Sequence, residues 1–322
     1  MSDPIRLGTR ASALATVQSQ WVADRITAAL GRPVELVEIT TEGDVVAHSL
    51  TQIGGTGVFV GALRTALLEG RIDVAVHSLK DLPTGPASGL VLAAIPERED
   101  PRDVVVARDG LTLAELPAGS RVGTGSPRRA AQVHALGLGL EMVDIRGNVD
   151  TRVRKVREGE YDAVVLARAG LARLDRLDEA TEVLDPLQML PAPGQGALAV
   201  ETREGEALAE DLSVLDDPRT RAAVTAERAV LAVLEGGCTA PVGALGEVAE
   251  GDEKDELWVR AVALSPDGSL AVRMSATGDP ADAFGLGSRL AGLMLDDGAG
   301  QLTDQPTTPG DQPVSDSERQ EA

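Results

Sequence analysis

The chain has 322 residues, with 30 Lys and Arg against 51 Asp and Glu, a formal net charge of −21 and only 2% aromatic residues. That balance excludes nonspecific attraction to nucleic acid or to an anionic membrane, and the scarcity of rings excludes a base-stacking platform. The length allows two or three domains; no apolar run reaches a membrane span and Met1-Ser2-Asp3-Pro4 does not read as a signal peptide, so a cytoplasmic protein is expected.

In chain order, residues 5–8 read as a short buried strand that runs through Thr9-Arg10-Ala11-Ser12 into a helix with Leu14, Val17, Trp21, Val22 and Ile26 at helical spacing. Residues 34–40 read as a strand, 58–69 as a helix ended by Gly70, and 72–76 as another strand. A second series follows, with strands near 104–107, 120–123, 141–145 and 162–167 and helices near 127–137 and 148–158. The alternation predicts an α/β fold with two similar lobes built on mostly parallel, doubly wound sheets. Pro191-Ala192-Pro193-Gly194-Gln195-Gly196 reads as a linker, after which 197–201 returns as a strand to the first lobe and makes a hinged cleft. Residues 219–235 carry a helical pattern, and 242–295 read as a small α+β unit with a hairpin turn at Ser265-Pro266-Asp267-Gly268. From Asp296 the pattern ends, and the remainder reads as a disordered acidic tail.

Ser126-Pro127-Arg128-Arg129 opens a helix with proline in its first turn and two arginines beside the positive end of the dipole. Each cation there costs about 0.3–1 kcal/mol, so the segment calls for an anion. Residues 121–176 hold eleven Lys and Arg against seven Asp and Glu, a basic island in an acidic protein. Arg146-Gly147-Asn148-Val149-Asp150-Thr151-Arg152 again follows a strand, and Arg168 and Arg173 follow the next. Arginine forks match carboxylate and phosphate equally well, and no GxxxxGK[ST] loop is present to favour a nucleotide.

The stretch from Asp73 to Pro83 carries a buried strand straight into Lys80 and Asp81, the edge where open α/β sheets place functional groups. Lysine is otherwise scarce, with only Lys155 and Lys254 besides. Two readings stand: a reactive pair, or an Asp81 that caps the turn before Pro83 beside a solvated Lys80. His77 reads as structural. Cys238 is the only cysteine, which excludes an intramolecular disulfide and a multi-cysteine metal site. In Glu235-Gly236-Gly237-Cys238-Thr239-Ala240-Pro241 it is either a packed apolar residue or a thiolate nucleophile or attachment point.

Taken together, Gly8-Thr9-Arg10-Ala11-Ser12, the run Ala75 to Pro83, Glu99-Asp100-Pro101-Arg102-Asp103, Arg146-Gly147-Asn148, Gly194-Gln195-Gly196-Ala197 and Glu235-Gly236-Gly237-Cys238 resemble the porphobilinogen deaminases, also called hydroxymethylbilane synthases. The resemblance runs from about Ile5 to about Leu295. It implies two lobes like those of periplasmic binding proteins, residues 1–98 with 197–217 and residues 99–196. A cofactor-anchoring α+β domain would follow at 218–295 and the tail at 296–322. It implies a monomeric transferase of tetrapyrrole and haem biosynthesis, free of metal, that links four porphobilinogens head to tail and passes its product to uroporphyrinogen-III synthase. Cys238 would anchor a dipyrromethane cofactor through a thioether. Asp81 would be the main catalytic carboxylate, assisting loss of ammonia and stabilising positive charge on azafulvene and pyrrole nitrogens. Arg10, Ser12, Lys80, Ser126, Arg128, Arg129, Arg146, Arg152 and Arg173 would hold cofactor and substrate. Thr56 and Phe59 would lie on the active-site loop, Thr56 standing where many relatives have lysine. Gly125-Ser126 stands where many have two serines.

Overall fold

The computed structural model describes residues 3–39, 55–234, 241–251 and 254–303, with only the backbone of 55–59 and of 303. The first lobe is built from β1 (Ile5–Thr9), α1 (Ala13–Leu30), β2 (Val34–Glu38), α2 (Gly55–Leu68), β3 (Val74–Ser78) and β4 (Leu90–Ala94). Ser12 starts α1 by accepting a hydrogen bond from the Ala15 N–H at 3.3 Å, and Gly31 ends it in the left-handed conformation at φ 64°. The second lobe holds β5 (Asp103–Ala107), β6 (Arg121–Gly123), α3 (Pro127–Ala135), β7 (Glu141–Val143), α4 (Val149–Arg157), β8 (Ala163–Ala167), α5 (Arg168–Arg173) and β9 (Glu182–Val183). The chain then crosses back as β10 (Leu198–Arg203) and continues into α6 (Ala207–Leu212).

The two five-stranded sheets share one topology. Their orders are β2-β1-β3-β10-β4 and β7-β6-β8-β5-β9. In each, four strands point one way and the fourth in order, β10 or β5, runs against its neighbours. That antiparallel strand is the one delivered by a crossing between lobes. Periodicity identifies neither its direction nor the edge strands β4 and β9, whose short runs carry no alternation of their own. Ile5, Leu7, Val22, Ile26, Val74, Val76 and Val200 pack on one face of the first sheet; Val105, Val122, Val133, Val165 and Leu184 do so in the second.

The two crossings touch. The Glu99 N–H donates to the Gly196 carbonyl at 3.3 Å, and Gly196 holds φ at +88° where an added Cβ would run into the Glu99 carbonyl oxygen. Only glycine meets both conditions.

The third unit packs α7 (Pro218–Val233) and α8 (Ala283–Asp296) on an antiparallel sheet of β11 (Val242–Ala249), β12 (Glu256–Leu264) and β13 (Ala271–Gly278). Ala226, Val230, Leu257, Val259, Leu290 and Met294 form its core. The expectation that order ends at Asp296 is corrected here. A short helix, α9 (Ala299–Thr303), follows and buries Ala299 and Leu302 in the same core. Two apolar residues three apart are too short a pattern to stand out in a stretch rich in Gly and Asp. Residues 304–322 lie outside the described residues.

Candidate active site

Parallel strands deliver the expected site residues to one edge of each sheet. β3 runs into a single 3-10 turn, Leu79–Asp81, that carries Lys80 and Asp81. β1 leads to Arg10 and to Ser12 at the head of α1. In the second lobe β6 leads to Ser126, which caps α3 by accepting from the Arg129 N–H at 3.5 Å, and β7 leads to Asn148, which caps α4 by accepting from the Thr151 N–H at 2.9 Å. Arg152 follows on α4, and Arg173 on α5 after β8.

Arg128 and Arg129 are buried, and the anion their position calls for is Asp103 at the start of β5. Its two oxygens divide the pair: Arg128 Nη2 lies 2.8 Å from Oδ2 and Arg129 Nη2 2.8 Å from Oδ1. Each guanidinium also donates to a main-chain carbonyl, Arg128 to Leu190 at 2.6 Å and Arg129 to Val165 at 2.8 Å. The expectation that these arginines wait for a ligand is therefore only part of the account, because an internal carboxylate already neutralises half of their charge. Burial acts to raise the Asp103 pKa, and Arg128, Arg129, Gln195 and Lys80 together bring it down to about 2.

Gln195 joins this cluster to the first lobe. Its Nε2 donates to Asp103 Oδ1 at 2.9 Å and to the Pro101 carbonyl at 2.7 Å, which leaves Oε1 to accept from Lys80 Nζ at 3.2 Å. Burial and the charges of Arg129 and Arg128 lower the Lys80 pKa to about 8, against the opposing pull of Asp81 and Asp103. Asp81 is thus close enough to be felt electrostatically by Lys80.

Two further arginines have little internal counter-charge. Arg152 is half-buried; its pKa is lowered by burial, then by the like charges of Arg129 and Arg146, against the pull of Asp144. Burial lowers the Arg173 pKa to about 10, and its Nη2 donates to the Gly196 carbonyl at 2.6 Å in the crossing linker. Counting Lys80, Arg128, Arg129 and Arg152 against Asp81 and Asp103, the cluster keeps an excess of positive charge that suits a polycarboxylate.

Arg146 is exposed and pairs with Asp144 at 2.9 Å. Arg10 is half-buried at the end of β1. Cys238 lies outside the described residues, and only the backbone of Thr56 and Phe59 is described, within α2. His77 lies 3.1 Å from Glu201 on β10, both buried, and Glu201 also takes a two-point contact from Arg64. Among the described residues no group of three or more His, Cys, Asp or Glu could hold a metal ion, and no helix is long and apolar enough to cross a membrane.

The profile described as porphobilinogen deaminase, dipyromethane cofactor binding domain, matches residues 5–211, and that described as the porphobilinogen deaminase C-terminal domain matches residues 221–296. The chain belongs to the porphobilinogen deaminase family. Porphobilinogen deaminase 1 of Streptomyces coelicolor is 58% identical over 308 residues, covering 92% of this chain and 97% of the relative. Porphobilinogen deaminases of Nocardia farcinica and Thermobifida fusca are 57% and 56% identical over 93% and 94% of this chain, and 88% and 96% of the relatives are covered. Among solved structures, a periplasmic substrate-binding protein of an ABC transporter from Coxiella burnetii is 13% identical and covers 66% of this chain and 91% of its own, with a TM-score of 0.41.

As a porphobilinogen deaminase family member, the chain has its cofactor-domain match spanning both sheet-rich lobes and the cationic cluster that links them. The half-buried cations Arg152 and Arg173 give that match a chemical counterpart, since a carboxylate-bearing group would supply the charge they lack. Sequence reasoning gave no role to Asp103 or Gln195, nor to Arg98 and the buried Glu227 with which it pairs at 2.6 Å. Asp103 was the most accessible of these, because it heads the otherwise apolar run Asp-Val-Val-Val-Ala, where a lone buried charge demands partners.

Proposed function

We propose that this chain condenses porphobilinogen head to tail into hydroxymethylbilane, with release of ammonia, on a dipyrromethane held through Cys238. The observation that carries the reading is the cationic cluster of Lys80, Arg128, Arg129 and Arg152 placed beside Asp81 across two lobes of a porphobilinogen deaminase fold. Bound dipyrromethane supplies the pyrrole carbon from which the chain is extended.

Porphobilinogen carries an acetate and a propionate, so each unit added brings two carboxylates. Lys80, Arg152 and Arg173 make no direct ion pair with an internal carboxylate among the described residues and take those carboxylates, while Arg128 and Arg129, held rigid by Asp103, contribute a fixed positive field. Arg10, Ser12, Ser126 and Arg146 complete the rim. Asp81 sits on the same turn as Lys80 and faces the positive charge that develops when ammonia departs; its carboxylate stabilises that charge and accepts the proton released when the pyrrole ring regains aromaticity.

Intact mass tests the reading. Purified protein should carry extra mass equal to two linked pyrrole units, absent from Cys238→Ser, and should convert porphobilinogen to hydroxymethylbilane. Unmodified protein that stays unmodified and inactive after incubation with porphobilinogen would overturn it.

The Lys80 pKa adds a pH dependence. Lys80 is charged below about 8 and loses its charge above it, so kcat/KM for porphobilinogen should fall as pH rises through about 8. In Lys80→Arg the guanidinium stays charged and that step should vanish, which a pH profile between about 7 and 9.5 measures directly.

A further inference from the structure

Of the three arginines on α7, Arg228 is the one that reaches the Asp81 turn. Arg228 Nη1 donates to the Leu82 carbonyl at 2.9 Å, with a longer contact of 3.4 Å to the Leu79 carbonyl, and Nη2 donates to the Pro83 carbonyl at 2.6 Å. These oxygens bracket the Leu79–Asp81 turn. The same turn is seated on α7 through its apolar side, since Leu79 and Leu82 pack in one buried cluster with Val224.

Arg228 is held at a cost. Burial lowers its pKa, Arg64 lowers it further, and only Glu201 acts the other way. A half-buried cation whose hydrogen bonds go to three main-chain carbonyls of one turn fixes the path of that turn more than it neutralises charge. The helix beneath is itself anchored one residue earlier. Glu227, fully buried, accepts from Arg98 at 2.6 and 3.0 Å, from the Gly194 N–H at 2.6 Å and from the Gly246 N–H at 2.7 Å. α7 is therefore bound to the crossing linker, to the third unit's sheet and to the Asp81 turn at adjacent positions. In sequence it ends at Val233, five residues before Cys238.

We propose that Arg228 is a positioning residue for Asp81. It locks the 79–83 turn to α7, so that the Asp81 carboxylate is held by the same helix that Glu227 ties to the crossing linker and to the third unit's sheet. The proposal rests on the function proposed above for Asp81.

Arg228→Met, which keeps the length and apolar stem, is compared with Arg228→Lys and the unaltered protein. Arg228→Met should retain the unaltered secondary structure and the same covalent mass increment, bind porphobilinogen with KM within about twofold, and lose roughly 10–100-fold in kcat, the cost of an active group displaced by about 1 Å. Arg228→Lys, which restores a donor and a charge, should recover part of that loss. Amide hydrogen exchange of residues 79–84 should be at least about tenfold faster in Arg228→Met while β3 stays protected. Unchanged exchange at 79–84, or unchanged kcat in a folded variant, would overturn the proposal. If Arg228→Met fails to fold, the exchange and kcat of Arg228→Lys decide it by the same criteria. Faster exchange at 79–84 in a protein whose unaltered form makes no hydroxymethylbilane would leave the clamp standing and remove the proposed function instead.

Discussion

Asp81→Asn is expected to bind porphobilinogen and keep its covalent mass increment while losing about 10²–10⁴-fold in kcat, the range that a positioned acid–base group contributes. The substitution is nearly isosteric, so the Leu79–Asp81 turn, held by the Leu82 N–H to Leu79 carbonyl bond at 3.1 Å and by Arg228, should survive it. What disappears is a negative charge beside the reacting centre. The neighbouring cations then act alone, and they raise the energy of a positively charged transition state where the carboxylate lowered it. KM should change little, because the carboxylates of the substrate are held by Lys80 and the arginines. A kcat within about threefold of the unaltered protein would remove Asp81 from the chemistry.

The distinction between parts of this site that sequence discloses and parts it hides follows the range of the interactions. Lys80 and Asp81 were legible because a buried strand ends in them, and the Ser126 cap was legible because Ser-Pro-Arg-Arg is a local pattern. The partner of those arginines was not, since Asp103 lies 25 residues away in sequence and reaches Arg128 only through the antiparallel placement of β5 beside β8. The same holds for Gln195, read as part of a linker yet bridging Lys80 and Asp103 from two different lobes. All strands of the two sheets except the edge strands β4 and β9 emerged from apolar runs, whereas the reversed direction of β5 and β10 depends on crossings that no periodicity records. The boundary at Asp296 failed for a related reason: Ala299 and Leu302 become core residues only once α8 and the third sheet are in place.

Those crossings also explain why the cluster is rigid where the lobes meet. Gly196 touches Glu99, Arg173 holds the Gly196 carbonyl, and Arg98 donates to the Gln195 carbonyl at 2.7 Å while its fork engages Glu227. Hydrogen bonds to charged groups contribute about 1.5–3 kcal/mol each, so these junctions are expensive to open one by one.

Asp103→Asn tests the centre of that junction. Removing one partner of a buried ion pair leaves uncompensated charge, and here two buried arginines would lose the same carboxylate, so a loss of about 3–5 kcal/mol in unfolding free energy is expected. Denaturant titration at neutral pH measures it. The pH dependence supplies an independent sign. Asp103 is held at about 2 in the folded chain against an ordinary value of 3.8. A depressed carboxylate stabilises the fold above its unfolded pKa and loses that contribution as pH falls through its folded one, so this group should account for about 2 kcal/mol lost between roughly pH 5 and pH 2. In Asp103→Asn that portion of the acid limb should be missing, while limbs from other carboxylates such as Glu201, whose pKa is also about 2 despite burial because His77 and Arg64 hold it down, remain. An unaltered acid limb together with full neutral stability would mean that Asp103 does not carry the charge of Arg128 and Arg129, and the rigid positive field assigned to them would lose its support.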